Sequence, residues 1–303
     1  MFNVYFEKRN KFERKPEWLK SKIPSGENYL SISKICKELN LHTVCEEALC
    51  PNIAECWGSG TATFMILGNI CTRACRFCNV SSGNPKGIVD YDEPKRVALA
   101  ISKMNLNYVV ITSVDRDDLE DGGAYIFAET VKEIKKINPK IIVELLIPDF
   151  RGNVESLKKV AFSGAEVIGH NIETVRRLTP LVRDPRASYD QSLFVLESLK
   201  KLNPKIYTKS AIIVGFGEKE EEVIETMKDL RKANVDFLTI GQYLRPSKRH
   251  LPVMEYVTPE KFKKYEEIGK NLGFKYVASG PFVRSSYKAG EFFIASIINS
   301  SYH

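Results

Sequence analysis

The chain has 303 residues, 43% of them hydrophobic, with 45 Lys and Arg against 38 Asp and Glu, for a net charge of +7. That length and apolar share suit one barrel-type domain with extensions and exclude a disordered chain. So small a basic excess steers an acidic partner rather than gripping one; the runs Lys8, Arg9, Lys11 and Lys248, Arg249, His250 are too short for a nucleic-acid surface, and no apolar run is long enough to cross a bilayer, so neither nucleic acid nor membrane is an expected partner.

Met1 to Lys22 alternates aromatics with charges and includes Glu7, Glu13 and Glu17. It lacks the apolar core of a secretory signal, and its acids argue against a transit peptide, so the expectation is a cytoplasmic protein. Residues 1–60 read as an irregular extension with a helix near Ser31 to Asn40. Residues 61–275 then alternate strand and helix. Strands are predicted at Thr63 to Leu67, Tyr108 to Thr112, Ile141 to Leu146, Glu166 to His170, Ile206 to Val214 and Phe237 to Ile240. Helices are predicted at Glu93 to Met104 with Pro94 in the first turn, Ala124 to Ile137, Val154 to Phe162, Tyr189 to Leu202, Glu218 to Ala233 and Pro259 to Leu272. Residues 276–303 form a second extension, in which Phe292 to Ile298 reads as a small packing helix or an interface.

Six strand–helix units in series predict parallel strands with right-handed crossovers. An incomplete barrel, a full barrel and an open doubly wound sheet all satisfy that pattern. A short repeat marks two of the units: Lys135-Lys136-Ile137-Asn138-Pro139-Lys140-Ile141 recurs as Lys200-Lys201-Leu202-Asn203-Pro204-Lys205-Ile206. Each copy reads as a helix stop, an Asn-Pro turn and a strand start, although two similar stops also arise by chance. In any of these folds chemistry belongs at the C-terminal strand ends. Cys71, Asp115, Pro148-Asp149, Asn171 with Glu173, and Gly215 to Glu218 all fall there.

Six of the seven cysteines lie between Cys45 and Cys78. Cysteines of a core would scatter, so the clustering points to metal. Cys71, Cys75 and Cys78 have three and two residues between them, a loop spacing that aims three thiolates at one cluster. A cubane cluster takes four ligands, so three leave one iron open. Structural zinc usually wants paired C-x-x-C units or histidines at fixed spacing, and His42 is the one histidine near either triplet. Cys45, Cys50 and Cys56 have four and five residues between them. Three cysteines so close, beside a cluster loop, form a second ligand set rather than buried apolar residues. Cys36 falls outside both sets and reads as structural.

The run Gly68-Asn69-Ile70-Cys71-Thr72-Arg73-Ala74-Cys75-Arg76-Phe77-Cys78 resembles the radical S-adenosylmethionine superfamily. Four further stretches resemble the lipoyl synthases within it: Glu46 to Trp57, Thr112 to Leu119, His170 to Thr174, and Arg284-Ser285-Ser286-Tyr287. The resemblance spans about residues 16 to 290, and the double triplet with the terminal Arg-Ser-Ser-Tyr is specific to that family.

The resemblance implies an α/β fold: a partial (βα)6-type parallel barrel whose N-terminal and C-terminal extensions carry an auxiliary iron–sulfur cluster. It implies two 4Fe–4S clusters and S-adenosylmethionine as cofactors. Cys71, Cys75 and Cys78 would hold the cluster that produces a 5′-deoxyadenosyl radical at the barrel mouth, where the protein supplies position and excludes water. Cys45, Cys50 and Cys56 would hold the cluster that donates sulfur. The implied fourth auxiliary ligand is a serine of the Arg-Ser-Ser-Tyr motif, placed on Ser286 rather than Ser285. By their residues alone these serines read as a turn after Gly280-Pro281.

The implied activity inserts two sulfur atoms, at carbons six and eight, into an octanoyl chain on a lysine of a lipoyl carrier domain. The expected partners are that octanoylated carrier (a dehydrogenase E2 or a glycine-cleavage H protein), a reductant such as ferredoxin or flavodoxin, and a cluster-assembly or carrier protein. Ala211 to Glu218 matches the superfamily strand that packs on adenine, with Ala211 where the pattern has glycine; by itself it is a strand-to-helix turn with Glu218 at a helix start. Gly215 and Glu218 are therefore cofactor candidates. Asp115 and Asp117 either accept hydrogen bonds from ribose hydroxyls and the methionine ammonium or cap the next helix. Asn171 and Glu173 are candidates for ribose or adenine contact. His170 reads more readily as a satisfied core histidine than as a ligand-site residue. Arg73 and Arg284 are candidates to neutralise cluster and carboxylate charge, and Arg76 reads as a solvated face.

Two alternatives stand beside this reading. One is another radical sulfur inserter of the biotin-synthase type, against which the Cys45 triplet speaks. The other is a non-catalytic iron–sulfur carrier, against which the long βα architecture speaks.

Overall fold

The computed structural model describes residues 15–19, 26–58, 61–286 and 294–298. Glu7, Glu13, the run Lys8, Arg9, Lys11, and Tyr287 of the terminal motif lie outside the described residues. The N-terminal extension contributes α1 (Glu27–Glu38), β1 (His42–Thr43), α2 (Val44–Glu47) and α3 (Ile53–Gly58). Then follow β2 (Thr63–Ile66), β3 (Ile70–Cys71), β4 (Ser81–Ser82), α4 (Glu93–Lys103), β5 (Tyr108–Ser113), α5 (Ala124–Ile137), β6 (Ile142–Leu146), α6 (Val154–Ala161) and β7 (Val167–Gly169). The chain continues through α7 (Thr179–Val182), α8 (Tyr189–Leu202), β8 (Tyr207–Val214), α9 (Glu220–Lys232), β9 (Phe237–Gln242), α10 (Pro259–Asn271) and β10 (Tyr276–Gly280).

The main sheet runs β1-β2-β5-β6-β7-β8-β9-β10. From β2 onward every pair is parallel and each strand lies beside its sequence neighbour. Crossovers of one hand between sequential strands put every helix on the same face, and the other face curls inward. A doubly wound sheet needs a reversal of strand order that is absent from this one. The result is a partial barrel, open between β1 and β10.

Why these residues form these elements is visible in their burial. Strands β2 and β6 read as near-continuous apolar runs because both faces are covered. On α5, Ile126, Phe127, Val131 and Ile134 recur at three- and four-residue steps and are all buried. The lysine-rich repeat is structural. Asn138 and Asn203 end their helices with nearly the same backbone, φ −138° and ψ 93° or 92°. In each copy the first lysine bonds the carbonyl that opens the next strand, Lys135 to Ile141 and Lys200 to Ile206, and pairs with an acid, Glu166 or Asp236. The same two acids accept the N–H of Val143 and Thr208. Each copy is therefore a staple joining three successive units.

Two expectations need correction. The barrel does not stop at residue 275, because Tyr276–Gly280 pairs with β9 as a seventh parallel strand. Its Ala278-Ser279-Gly280 end has little β propensity, and the edge pairing rather than side-chain pattern makes it a strand. The helix placed at Ser31 to Asn40 runs from Glu27 to Glu38, since Gly26 at φ 106° starts it earlier. Residues 294–298 are helical, and Ile294 and Ile298 pack among Tyr108, Val110, Ile142, Val167 and Phe237. They cover the end of the barrel opposite the site.

Candidate functional site

The first cysteine loop is closed by a two-residue bridge between β3 and β4. Cys71 ends β3, and its Sγ accepts N–H bonds from Arg73 at 3.4 Å and Asp115 at 3.3 Å. Cys75 Sγ accepts the N–H of Asp184 at 3.3 Å, while the Asp184 carboxylate takes the N–H of Ala74. Backbone donors aimed at sulfur are what cluster-bound thiolates need. Burial pushes the Cys71 and Cys75 thiols up to about 12 and Cys78 to about 11. Ionisation is thereby left to whatever metal binds. The far end of the loop is held by His250, whose Nε2 meets the Cys78 carbonyl at 3.0 Å.

Arg73 sits behind this loop and is 3% exposed. Its guanidinium makes one two-bond fork to Asp117 and another to Asp149, with distances of 2.7–2.9 Å, and lies 3.4 Å from Asp115. Thr72 also bonds Asp117, at 3.1 Å. Asp117 is therefore spent on the loop, and among the described residues it borders neither cavity of the site; its expected cofactor contact is corrected to a structural one. Asp115 does face the cavity, and burial raises its carboxyl to about 6 even beside Arg73.

The second triplet sits on the N-terminal extension. Antiparallel pairing of β1 with β2 sets Thr43 opposite Phe64 and so carries Cys45 toward Thr63 at the start of β2, in the first turn of a short helix capped by Thr43. The Cys50 N–H bonds the Cys45 carbonyl, and Thr61 bonds the Cys56 carbonyl. Asn52, between Cys50 and Cys56, donates to the Phe282 carbonyl at 2.6 Å. This bond brings the loop to the C-terminal segment that carries Arg284, Ser285 and Ser286.

Two cavities meet at the mouth. One, of about 350 Å³, is lined by Cys45, Cys50 and Cys56 with Arg284, Ser285 and Ser286. The other, of about 290 Å³, is lined by Cys71, Cys75 and Cys78 with Asp115, His170 and Arg183. Cys78, Asn171, Glu173, Ser285 and Ser286 border both. The donor sets fit two clusters: Cys45, Cys50 and Cys56 in one cavity and Cys71, Cys75 and Cys78 in the other, with Cys78 and a hydroxyl-bearing segment at the shared wall. Among the described residues, no three His, Cys, Asp or Glu side chains close on a single metal ion.

Asn171 donates to Glu173 at 3.2 Å, and Glu173 holds a left-handed φ of 67°. A non-glycine residue in that region is strained, and strain of this kind gathers at functional sites. Burial raises the Glu173 carboxyl from its ordinary value. Gly215 and Glu218 are corrected as well. The Glu218 carboxylate accepts the N–H groups of Gly215 and Phe216, and among the described residues Gly215 and Glu218 border neither cavity of the site. They shape the strand end, while Ala211, Ile212 and Ile213 present the wall. His170 is a satisfied core residue: Nδ1 meets the Ile147 carbonyl and Nε2 the Ser192 hydroxyl, both at 2.9 Å. Arg76 bonds through its backbone to Val182 and Leu251 and so anchors the loop at both sides.

Sequence reasoning missed Arg183, Asp184 and Asn52. Arg183 is buried, bonds Ser192 at 2.8 Å and leaves Nε without a partner among the described residues. It follows a four-residue helix in an irregular loop, where periodicity carries no signal. Asn52 follows Pro51, a pattern that reads only as a turn. The second cavity thus offers the acids Asp115 and Glu173 opposite the cation Arg183, a set that fits a zwitterionic amino-acid group.

The radical SAM superfamily model matches residues 65–230, and the model of the N-terminal domain of lipoyl synthase matches residues 3–50. The chain is 58% identical over 292 residues to the mitochondrial lipoyl synthase of Culex quinquefasciatus, covering 95% of this chain and 77% of that one. It is 58% identical over 280 residues to the lipoyl synthase of Thermus thermophilus (92% and 87%). Identity to the mitochondrial enzyme of Bos taurus is 55% over 298 residues (96% and 80%). In fold it resembles methylornithine synthase (TM-score 0.52, 14% identity, covering 91% and 90%). It also resembles the hydrogenase maturase HydG of Carboxydothermus hydrogenoformans (TM-score 0.55, 13%, covering 90% and 78%).

Proposed function

We infer the function from the premise that this chain belongs to the lipoyl synthase family of radical S-adenosylmethionine enzymes. It is a sulfur-inserting enzyme that uses S-adenosylmethionine and 4Fe–4S clusters. The expected cytoplasmic location is overturned. Relatives from an insect, a lancelet and cattle are named mitochondrial, and one from Plasmodium falciparum is named apicoplast. These point to an organelle. An organelle address is written in a removable segment, so the acids of the first 22 residues were a poor guide.

Its substrate is an octanoyl chain on a lysine of a lipoyl carrier domain, which receives sulfur at carbons six and eight. An E2 or an H protein would present that lysine. A ferredoxin or flavodoxin would supply electrons, and a cluster carrier would restore iron and sulfur between turnovers.

The groups bound at the two triplets supply a 5′-deoxyadenosyl radical at one and sulfur at the other. The chain's own residues do the rest. Cys71, Cys75 and Cys78 hold the first cluster under the backbone donors of Arg73, Asp115 and Asp184. Asp115 and Glu173 receive the ammonium and ribose of S-adenosylmethionine, Asn171 orients Glu173, and Arg183 takes the carboxylate. Cys45, Cys50, Cys56 and Ser286 hold the second cluster. Val44, Ala48, Leu49 and Phe77 form the apolar wall of the larger cavity, which suits an alkyl chain. Ser286 would offer that cluster an oxygen donor, a harder ligand for such iron than the three thiolates.

The observation that carries this reading is the shared wall: Ser286 borders both cavities, so a chain in the larger one passes from one triplet to the other. The test is iron and labile sulfide per chain after anaerobic reconstitution. About eight irons falling to about four in the Cys45→Ala/Cys50→Ala/Cys56→Ala variant supports two clusters on these ligands. About four in both withdraws the sulfur-donor assignment.

A further inference from the structure

The loop that carries Cys71, Cys75 and Cys78 has a reverse side. Arg73, Cys75 and Phe77 border the smaller cavity, whereas Ala74 and Arg76 between them are exposed and among the described residues border neither cavity. Residues 182–186 run alongside in the opposite direction. The Arg76 N–H meets the Val182 carbonyl, the Asp184 N–H meets the Cys75 sulfur at 3.3 Å, and the Arg186 guanidinium meets the Thr72 carbonyl at 2.6 Å. The same division recurs there: Arg183 and Ala187 line the cavity, while Pro185 and Arg186 are exposed. Ala74, Arg76, Pro185 and Arg186 therefore form one outer face, directly behind the wall that holds Cys75. Its charge is layered. The Arg186 side chain is 51% exposed, while the acids it pairs with, Asp184 and Asp117, are 5% and 15% exposed beneath it. An approaching molecule meets guanidinium groups first.

We propose that this outer face docks the protein that reduces the first cluster, an acidic one-electron-transfer protein. The inference rests on the reading that Cys71, Cys75 and Cys78 hold that cluster. In the step concerned one electron leaves the docked protein, which is oxidised, and enters the cluster, which is reduced. A cavity of about 290 Å³ admits a small molecule but no protein, and S-adenosylmethionine is assigned to it. The electron therefore crosses the wall from behind. Here the wall is a single layer of chain: Cys75 lies between two exposed residues, and its sulfur is one N–H bond from the backbone that continues into Pro185. Two guanidinium groups over buried acids offer an acidic surface both charge and planar hydrogen-bond donors. Complementary charge also speeds encounter, since it acts chiefly on the rate of association.

The test uses the full chain with Cys45→Ala/Cys50→Ala/Cys56→Ala, so that the first cluster alone is reconstituted, and adds Arg76→Glu or Ala74→Lys to that parent. Both positions meet residues 182–186 through backbone N–H groups, which a side-chain change leaves in place. Iron content is read, with the rate of cluster reduction by reduced flavodoxin at rising concentration and by photoreduced deazariboflavin, a small uncharged reductant. The expected result is equal iron and equal reduction by deazariboflavin. The flavodoxin concentration for half-maximal rate should rise on the order of tenfold in Arg76→Glu and fall in Ala74→Lys, and added salt should erase both differences. Equal flavodoxin dependence in all three proteins overturns the proposal while leaving the cluster reading intact. Equal slowing with both reductants overturns it too, because the fault then lies in the cluster and not in docking. If Arg76→Glu lowers iron content, Arg76→Gln, which removes the charge without reversing it, must still raise the half-maximal concentration or the proposal falls. A parent cluster that deazariboflavin reduces and neither flavodoxin nor ferredoxin does also overturns it. A parent that binds no four-iron cluster overturns the ligand assignment itself, and the proposal with it.

Discussion

Asn52 donates its side-chain N–H to the Phe282 carbonyl at 2.6 Å, across 230 residues of chain. Gly241 makes room for the contact, because a Cβ there would lie 2.0 Å from the Val283 carbonyl oxygen. The two extensions of the barrel are thus latched to each other directly over the last parallel strands. Asn52→Leu keeps the volume and deletes the donor, at a local cost of about 1–3 kcal/mol. We expect the variant to fold with a near-native far-UV spectrum but to hold about four irons instead of about eight. Full iron occupancy would show that the latch is irrelevant to the second cluster.

Arg73 serves two carboxylates with two forks and approaches a third. Lysine keeps the charge but has no planar fork, so it can satisfy one acid at most. Breaking a buried ion pair costs about 3–5 kcal/mol. Arg73→Lys is expected to lower apo stability by an amount near the bottom of that range in denaturant melts. A loss below about 0.5 kcal/mol, the level of an ordinary surface substitution, would mean that the network contributes nothing net.

Burial, assisted by the nearby Arg183, holds His170 well below the ordinary histidine value, at about 4. Between about 6.5 and about 4 the unfolded chain therefore binds a proton that the folded chain refuses. Stability falls as pH falls through that window and stops falling on this account below about 4. The integrated loss is on the order of 3 kcal/mol. Denaturant midpoints of the apo protein from pH 7 to pH 4 should show this slope, and His170→Gln should flatten it. A slope unchanged in the variant would assign it to other groups.

The barrel was legible because its signal is periodic: apolar strand runs and the three-four spacing of α5 recur whatever the ligand. The cysteine triplets were legible because each is confined to one short stretch of chain, so its spacing is a local signal. Residues whose role depends on distant partners were read less well. Asp117 looks the same in sequence as Asp115, yet Arg73 takes the former and only the latter faces the cavity. Glu218 sits in a superfamily pattern but bonds its own turn. Arg183 and Asn52 act through contacts across more than a hundred residues or from irregular loops, where no pattern marks them. Strand β10 was missed because an edge strand of Ala, Ser and Gly is defined by the neighbour it pairs with.

The substrate of this family is itself a protein, and the rim of the larger cavity is basic. Lys15 and Arg245 line it, and Lys248 and Arg249 lie exposed on the same loop as Arg245. Lipoyl carrier domains are generally acidic, so complementary charge should raise the rate of encounter. Such steering acts over about 8–10 Å at physiological salt and is screened as salt rises. The hold proposed for the octanoyl chain, by contrast, is apolar contact, which salt does not weaken. Raising ionic strength from about 50 to about 300 mM, across which the screening length falls from roughly 14 to roughly 6 Å, should therefore increase KM for a carrier domain several-fold. KM for a short octanoyl-lysine peptide should hardly change. Lys248→Glu/Arg249→Glu should mimic high salt for the carrier and leave the peptide unaffected. Equal shifts for both substrates would mean that recognition ends at the lysine arm and that the basic rim does not dock the carrier.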